Sequence, residues 1–287
     1  MFKRSDQTAR PNAEKLIRSL FTALGFFLIY YAVRMVISNA ITIFLLLEYK
    51  SPDKAVSVFN QNANAISLFC NIAVIVVLFI VLSVQKRNIT DILHLKKVRP
   101  SLIFLSFFSG IFLNLTTSGI ISLLPDSILK NYSEATSTIG NGPTIWFIIS
   151  AVIVAPIVEE LVFRSLIISS LLPGLGHIIS VLVSSLIFGA IHSGPVWIAY
   201  AFVLGSILAC VFLRTGSVYS SIALHFGFNL MNLFPYLSLV IRSEKAVQTI
   251  YLTLTYLSLP LASVLIFLIF FITRDPTSNG HEDIERI

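Results

Sequence analysis

The chain has 287 residues, of which 56% are hydrophobic and 12% charged, with a net charge of +6. A soluble domain carries about 25% charged residues, so a water-soluble globular fold is excluded, and a mean hydropathy of +0.88 points to a polytopic membrane protein. The positive charge needs no nucleic acid to explain it, because basic residues collect at the cytoplasmic face of membrane proteins. Cys70 and Cys210 both lie in apolar runs, so no disulfide framework is indicated.

Residues 1–19 read as a basic cytoplasmic tail. The apolar run behind it is too long for a signal-peptide core and lacks a small-residue cleavage site, so it reads as an uncleaved first span. Eight spans are expected: 20–47, 65–84, 101–124, 144–172, 178–193, 196–213, 218–241 and 249–273. The fold class is therefore all-α, a bundle of about eight transmembrane helices enclosing a conical cavity. Residues 48–64, with Asn60, Asn62 and Asn64, read as an external loop. Residues 125–143 read as another, ending in the turn signal Gly140-Asn141-Gly142-Pro143. Pro173-Gly174 separates the fourth span from the fifth, and Gly194-Pro195 the fifth from the sixth. With the N-terminus inside, 13 of the 20 Lys and Arg residues fall on the inner face and 5 on the outer. Both termini are thus expected in the cytoplasm. The domain reading is a tail at 1–19, three spans within 20–142, a functional core at 143–241, a last span within 242–273 and a tail at 274–287. Residue usage and short loops suggest a bacterial cell membrane.

Glu159-Glu160-Leu161-Val162-Phe163-Arg164 stands out in the fourth span. Each charge at bilayer depth costs about 2.5–3.5 kcal/mol on insertion scales. Glu160 and Arg164 are four apart with Glu first, which suits an intrahelical ion pair. Glu159 is rotated ~100° away and is left as a spare carboxylate. A carboxylate in an apolar site has the chemistry of a general base. Arg34 in the first span is expected to pair with a neighbouring helix or to snorkel.

Of five histidines, His94, His177 and His281 are expected to be solvated. His192 ends Phe188-Gly189-Ala190-Ile191-His192, and His225 opens His225-Phe226-Gly227-Phe228-Asn229. Each motif spans four residues, one helical face. Phe188 can wall a pocket below His192, while His225 and Asn229 can point together. Gly189 and Gly227 permit close helix approach. One Glu, two His and one Asn supply a base and oxyanion donors for peptide hydrolysis. Glu159, His192 and His225 are also a ligand set that zinc could use, although H-E-x-x-H is absent. The same groups could instead form a transporter's proton relay, but no internal repeat supports that.

The depths do not agree at first sight. At 1.5 Å per residue, His225 lies ~10 Å from the inner end of its helix and His192 ~21 Å from the inner end of its own. Glu159 lies ~22 Å from the outer end of its span. Tilt, or extension of the fourth helix beyond the membrane, is needed to bring them level.

E-E-x-x-x-R, F-x-x-x-H and H-x-x-x-N, in that order on successive spans, resemble the CaaX protease and bacteriocin-processing (CPBP, or Abi) family of intramembrane proteases, which includes the type II CaaX prenyl endopeptidases. The resemblance covers about residues 143–240. It implies that Glu159 and His192 activate water, that His225 and Asn229 form the oxyanion site, and that Glu160 and Arg164 hold the helix. It implies a glutamate mechanism without metal, with zinc as the alternative. The implied substrate is a CaaX-type C-terminus, a bacteriocin or another small peptide at the membrane. A non-catalytic membrane partner or bacteriocin immunity protein that keeps the fold is the second reading.

Overall fold

The computed structural model describes residues 13–84, 88–136, 145–237, 241 and 243–273. Lys86, Arg87, Gly140 to Pro143, Arg242, Arg274, His281 and Arg286 lie outside them. No strand occurs among the described residues. The chain forms α1 (Ala13–Tyr49), α2 (Pro52–Gln61), α3 (Ala63–Val84), the single turn α4 (Ile89–Ile92), α5 (Pro100–Ile121) and α6 (Asp126–Thr136). Beyond these come a 46-residue helical stretch α7 (Ile145–Ala190), α8 (Pro195–Thr215), α9 (Val218–Leu230) and α10 (Glu244–Ile272).

Six of these helices are long and apolar enough to cross a membrane: α1, α3, α5, α7, α8 and α10. Large apolar side chains such as Phe21, Leu47, Phe104 and Phe267 point outward, where lipid is their natural solvent. The difference from eight expected spans has two causes. The fourth and fifth spans form one stretch, α7, which reverses at Gly176 (φ +69°, ψ 177°). That backbone region is essentially reserved for glycine. Ser184 Oγ donates to the Phe163 carbonyl at 3.2 Å. An unbroken helix would hold residues 163 and 184 ~32 Å apart. The stretch is thus a hairpin of α7a (residues 145–175) and α7b (177–190). The seventh span ends early: α9 has 13 residues and tightens into a 3-10 segment at Met231–Leu237. Pro235 within it has no N–H to continue an α-helix.

Two segments read as loops are helical. α2 is capped by Ser51, whose side chain accepts from the Lys54 N–H. α6 packs on the bundle through Tyr132, edge-on to Tyr200 of α8 with centroids 6.3 Å apart. His94 is also not a solvated residue. Its Nε2 lies 2.9 Å from Ser169 Oγ and its ring stacks edge-on against Phe212 at 5.2 Å. The segment around it is pinned to the bundle, because Ser165 Oγ donates to the Leu93 carbonyl (2.8 Å) and Ser217 Oγ to the Lys96 carbonyl (2.6 Å). His177 is exposed, as expected. Cys70 and Cys210 are both free.

These pins explain the depths. Residues 93–96 sit against 165–169 of α7a and against the start of α9. α7a runs on for ~9 Å past Ser169 before turning, and Gly174 packs there on Ser19 at the start of α1. Measured from the 93–96 segment, Glu159 is ~12 Å up and His225 ~10 Å. The Phe188 ring touches both His192 and His225, which brings His192 to the same cluster.

Glycine sets the tightest crossings. A Cβ on Gly110 or Gly227 would collide with the Leu224 or the Phe107 carbonyl of the facing helix, so α5 and α9 touch backbone to backbone. A Cβ on Gly189 would come within 2.9 Å of the Ile198 carbonyl, which fixes α7b against α8. Both expected close approaches, at Gly189 and Gly227, are present.

Candidate active site

α7a is not a regular α-helix. It is π-helical over Ile148–Val154, α-helical over Ala155–Glu160 and π-helical again over Leu161–Ile168. π segments concentrate at functional sites, and here they flank the turn that ends in Glu159-Glu160. In the first, the Ala155 N–H reaches the Ser150 carbonyl, five residues back. The next bond in that register would join residue 156 to the Ala151 carbonyl, but Pro156 has no N–H. Asn229 supplies the missing donor from α9: its Nδ2 donates to the Ala151 carbonyl at 2.9 Å.

The expected ion pair is present. Arg164 Nε lies 3.1 Å from Glu160 Oε2, with both side chains essentially fully buried. The contact is ionic and its angle is outside hydrogen-bond geometry, so neither atom has a hydrogen-bond partner among the described residues. Arg164 Nη2 donates to the Gly205 carbonyl at 3.4 Å, and the guanidinium lies 4.7 Å over the Phe188 ring. A desolvated cation–π contact of this kind contributes about 2 kcal/mol.

Glu160 has a second partner that spacing alone does not reveal. Its Oε1 lies 2.9 Å from His225 Nδ1. A carboxylate there favours the proton on Nδ1, which fixes the ring's orientation. The other ring nitrogen, Nε2, then faces Glu159 Oε2 at 3.8 Å. Glu159 keeps 15% of its side chain exposed, whereas Glu160 has none. The two adjacent carboxylates thus differ in kind: one is sealed between Arg164 and His225, the other is reachable by water.

His192 lies just beyond the end of α7b. Its Nδ1 is 2.8 Å from the Phe188 carbonyl, so Nδ1 carries a proton and Nε2 is left as an acceptor. Its ring packs against Phe188 and Trp197, each at 5.1 Å. Phe188 is the hub of the cluster, with His225 at 5.9 Å and Phe163 at 5.1 Å. The structure therefore joins Glu159, Glu160, Arg164, His225 and Phe188 in one contact network and sets His192 on the same ring. Asn229 meets the same helix two turns away, at a backbone carbonyl. Among the described residues, no three His, Cys, Asp or Glu side chains are gathered as a metal site. Nδ1 of His192 and Nδ1 of His225 are engaged by a carbonyl and a carboxylate, which leaves Nε2 of each ring turned toward the Glu159 side.

A cleft of about 530 Å³ opens beside the network, between α5, α7a and α9. Ile103, Ile153, Ile157, Tyr219 and Phe226 give it apolar walls, and Lys97 sits in its lining. None of the four motif residues lines it.

Residues 141–231 match the family model described as Type II CAAX prenyl endopeptidase Rce1-like. No curated protein and no solved structure matches the chain. The matched segment holds both glutamates, Arg164, Phe188, both deep histidines and Asn229. Through that segment, about a third of the chain and set in a polytopic helical bundle, the protein is similar to the type II CaaX prenyl endopeptidases.

Proposed function

We propose that the protein is an intramembrane endopeptidase in which Glu159 activates water. The observation that carries this reading is the pairing of one sealed and one open carboxylate on either side of His225. Glu159 takes a proton from water as its oxygen bonds to the scissile carbonyl carbon. His192 Nε2 accepts the second water hydrogen and orients the attack. His225 lies between the two carboxylates and donates from Nε2–H to the carbonyl oxygen as negative charge develops there. Asn229, one turn along α9 from His225, is proposed as the second donor. The C–N bond then breaks and Glu159 returns its proton to the leaving amine. Preorganised donors of this kind contribute about 2.7–4 kcal/mol each to the rate.

The substrate proposed is a peptide or protein segment at the membrane, with a CaaX-type C-terminus or a small bacteriocin-like peptide as candidates and no metal required. The functional core proposed is 143–241, with both termini in the cytoplasm of a bacterial cell. Proteolysis of a peptide library by the detergent-purified full chain tests the reading, with Glu159→Ala as control. Cleavage by the wild type and none by the variant is expected. Absence of cleavage by the folded wild type would favour the membrane-partner or immunity reading.

A further inference from the structure

The cleft between α5, α7a and α9 has a cationic end and an apolar run. Ser217 Oγ donates to the Lys96 carbonyl at 2.6 Å, and the Val218 N–H to the His94 carbonyl at 3.2 Å. These bonds hold the segment before α5 at the first turn of α9, so Lys97 and Tyr219 share one end of the cleft. From there the wall climbs α9 through Ile222, Ala223 and Phe226, spaced three and four apart on one helical face. Phe226 is ~10 Å up from Tyr219. Ile157 and Ile153 continue the wall on α7a. By the ruler that puts Glu159 ~12 Å above the 93–96 segment, Ile157 lies ~15 Å above it. One leaflet's share of a ~30 Å hydrocarbon core is about 15 Å. The cleft thus has the depth of one leaflet, from its interface toward the midplane.

Ile153 and Tyr219 are 42% and 41% exposed, so the cleft opens on the flank of the bundle. Its volume of about 530 Å³ is that of a small-molecule site. Beyond Lys97 and Tyr219, the side chains that line it are apolar. A peptide backbone laid along such walls would strand its N–H and C=O groups. A hydrocarbon chain strands nothing. The cationic end has its own signature. Residues 88–99 hold Lys96, Lys97 and Arg99 against Asp91 as their only acid. All three cations are exposed, and among the described residues none has a carboxylate within ion-pair distance. Basic residues at a membrane face orient any polytopic chain. A cleft of leaflet depth directly beside them does not follow from orientation.

We propose that this cleft binds an anionic phospholipid from the leaflet on the Lys97 side. One acyl chain lies between α5, α7a and α9, and the phosphate is held by Lys97, a point charge suited to phosphate. Lys96 and Arg99 add attraction for a headgroup of net negative charge. Tyr219 stands at headgroup level, where amphipathic rings settle. The site is separate from the proposed hydrolysis, because none of the four motif residues lines it. It touches that chemistry only through its walls. α7a carries Glu160 and α9 carries His225, which meet at 2.9 Å. A lipid bound to the packed helices and not to the unfolded chain stabilises that register by mass action.

The test measures lipid binding, with no substrate needed. The full-length protein is exchanged into neutral detergent until free of lipid, then titrated with phosphatidylglycerol or with phosphatidylcholine of identical chains. Native mass spectrometry counts the lipids retained, and thermal unfolding reads the linked stabilisation. Phosphatidylglycerol should be retained better than phosphatidylcholine, by about fivefold for each basic residue engaged. Lys97→Gln should lower that preference about fivefold, whereas Lys54→Gln, at an exposed lysine of α2, should leave it unchanged. Ala223→Phe fills the cleft from the α9 wall and should weaken retention of both lipids. Lys97 is exposed and its substitution keeps the fold, so the headgroup is tested even if Ala223→Phe unfolds. Equal retention of the two lipids, a preference that survives in Lys97→Gln, or one that falls equally in Lys54→Gln overturns the site. Undiminished retention by folded Ala223→Phe overturns it too. Displacement of phosphatidylglycerol by a farnesylated peptide, lost in Ala223→Phe, would reassign the cleft to substrate and overturn the lipid assignment.

Discussion

Replacing Arg164 by alanine should strand the Glu160 carboxylate in a site with no solvent access. The pair is fully buried and its charged atoms are 3.1 Å apart. Breaking such a pair costs about 3–5 kcal/mol, because the remaining charge has lost its partner. Two structural details move the figure in opposite directions. His225 Nδ1, 2.9 Å from Glu160, offers partial compensation. The lost guanidinium also covered Phe188 at 4.7 Å, a contribution of about 2 kcal/mol. The net loss should stay near 3–5 kcal/mol. The double variant Glu160→Gln/Arg164→Met removes both charges and keeps the volume, so it should be more stable than Arg164→Ala by at least about 1 kcal/mol. Thermal unfolding of the detergent-solubilised protein, run as a double-mutant cycle, measures the coupling. Wild-type stability in Arg164→Ala, or strictly additive effects, would refute the buried pair as a structural lock.

Asn229→Ala should cost about 1–3 kcal/mol by leaving the Ala151 carbonyl without a donor. In a Pro156→Ala background that cost should shrink, because the new N–H can reach the same carbonyl; an equal cost in both backgrounds would refute the assignment. Gly110→Ala and Gly227→Ala should each destabilise by about 1–3 kcal/mol through backbone collision at the α5–α9 crossing, and wild-type unfolding temperatures would contradict it. Burial, reinforced by Lys96, holds the His94 imidazole below its ordinary range, so the native state favours the neutral form. The resulting stability is present above pH ~6.5 and is lost as pH falls through the lowered folded value; His94→Gln should flatten that acid limb of the pH–stability curve. Exhaustive chelation should leave peptide cleavage intact, and loss of activity restored by zinc would contradict the proposed mechanism.

The helical class was legible from hydropathy alone, and so were the Glu160–Arg164 pair and the close approaches at Gly189 and Gly227. These depend on local spacing, which survives into the fold. What could not be read depends on how helices meet. The partnership of Glu160 with His225 joins residues 65 apart and requires the register of α7a against α9. Spacing left Glu160 only its own-helix cation. The α7 turn was expected at Pro173-Gly174, yet the residue with left-handed backbone is Gly176, three and two positions further on. The role of Asn229 against Ala151 had a signal that could have been used. A proline inside an apolar helix leaves carbonyls in need of a donor, and Pro156 is such a residue. The short seventh helix was overextended because apolar composition continues past residue 230 while α-helical geometry does not.

In the proposed mechanism Glu159, and not its neighbour, activates the water that hydrolyses a peptide bond. The most direct measurement is cleavage in ¹⁸O-labelled water by wild type and Glu159→Gln, followed by mass spectrometry of the products. The wild type should place one ¹⁸O in the new carboxylate, and the variant should lose at least about 10²-fold in turnover while unfolding at the wild-type temperature. Normal cleavage by Glu159→Gln, with ¹⁸O still entering the product, would contradict the claim.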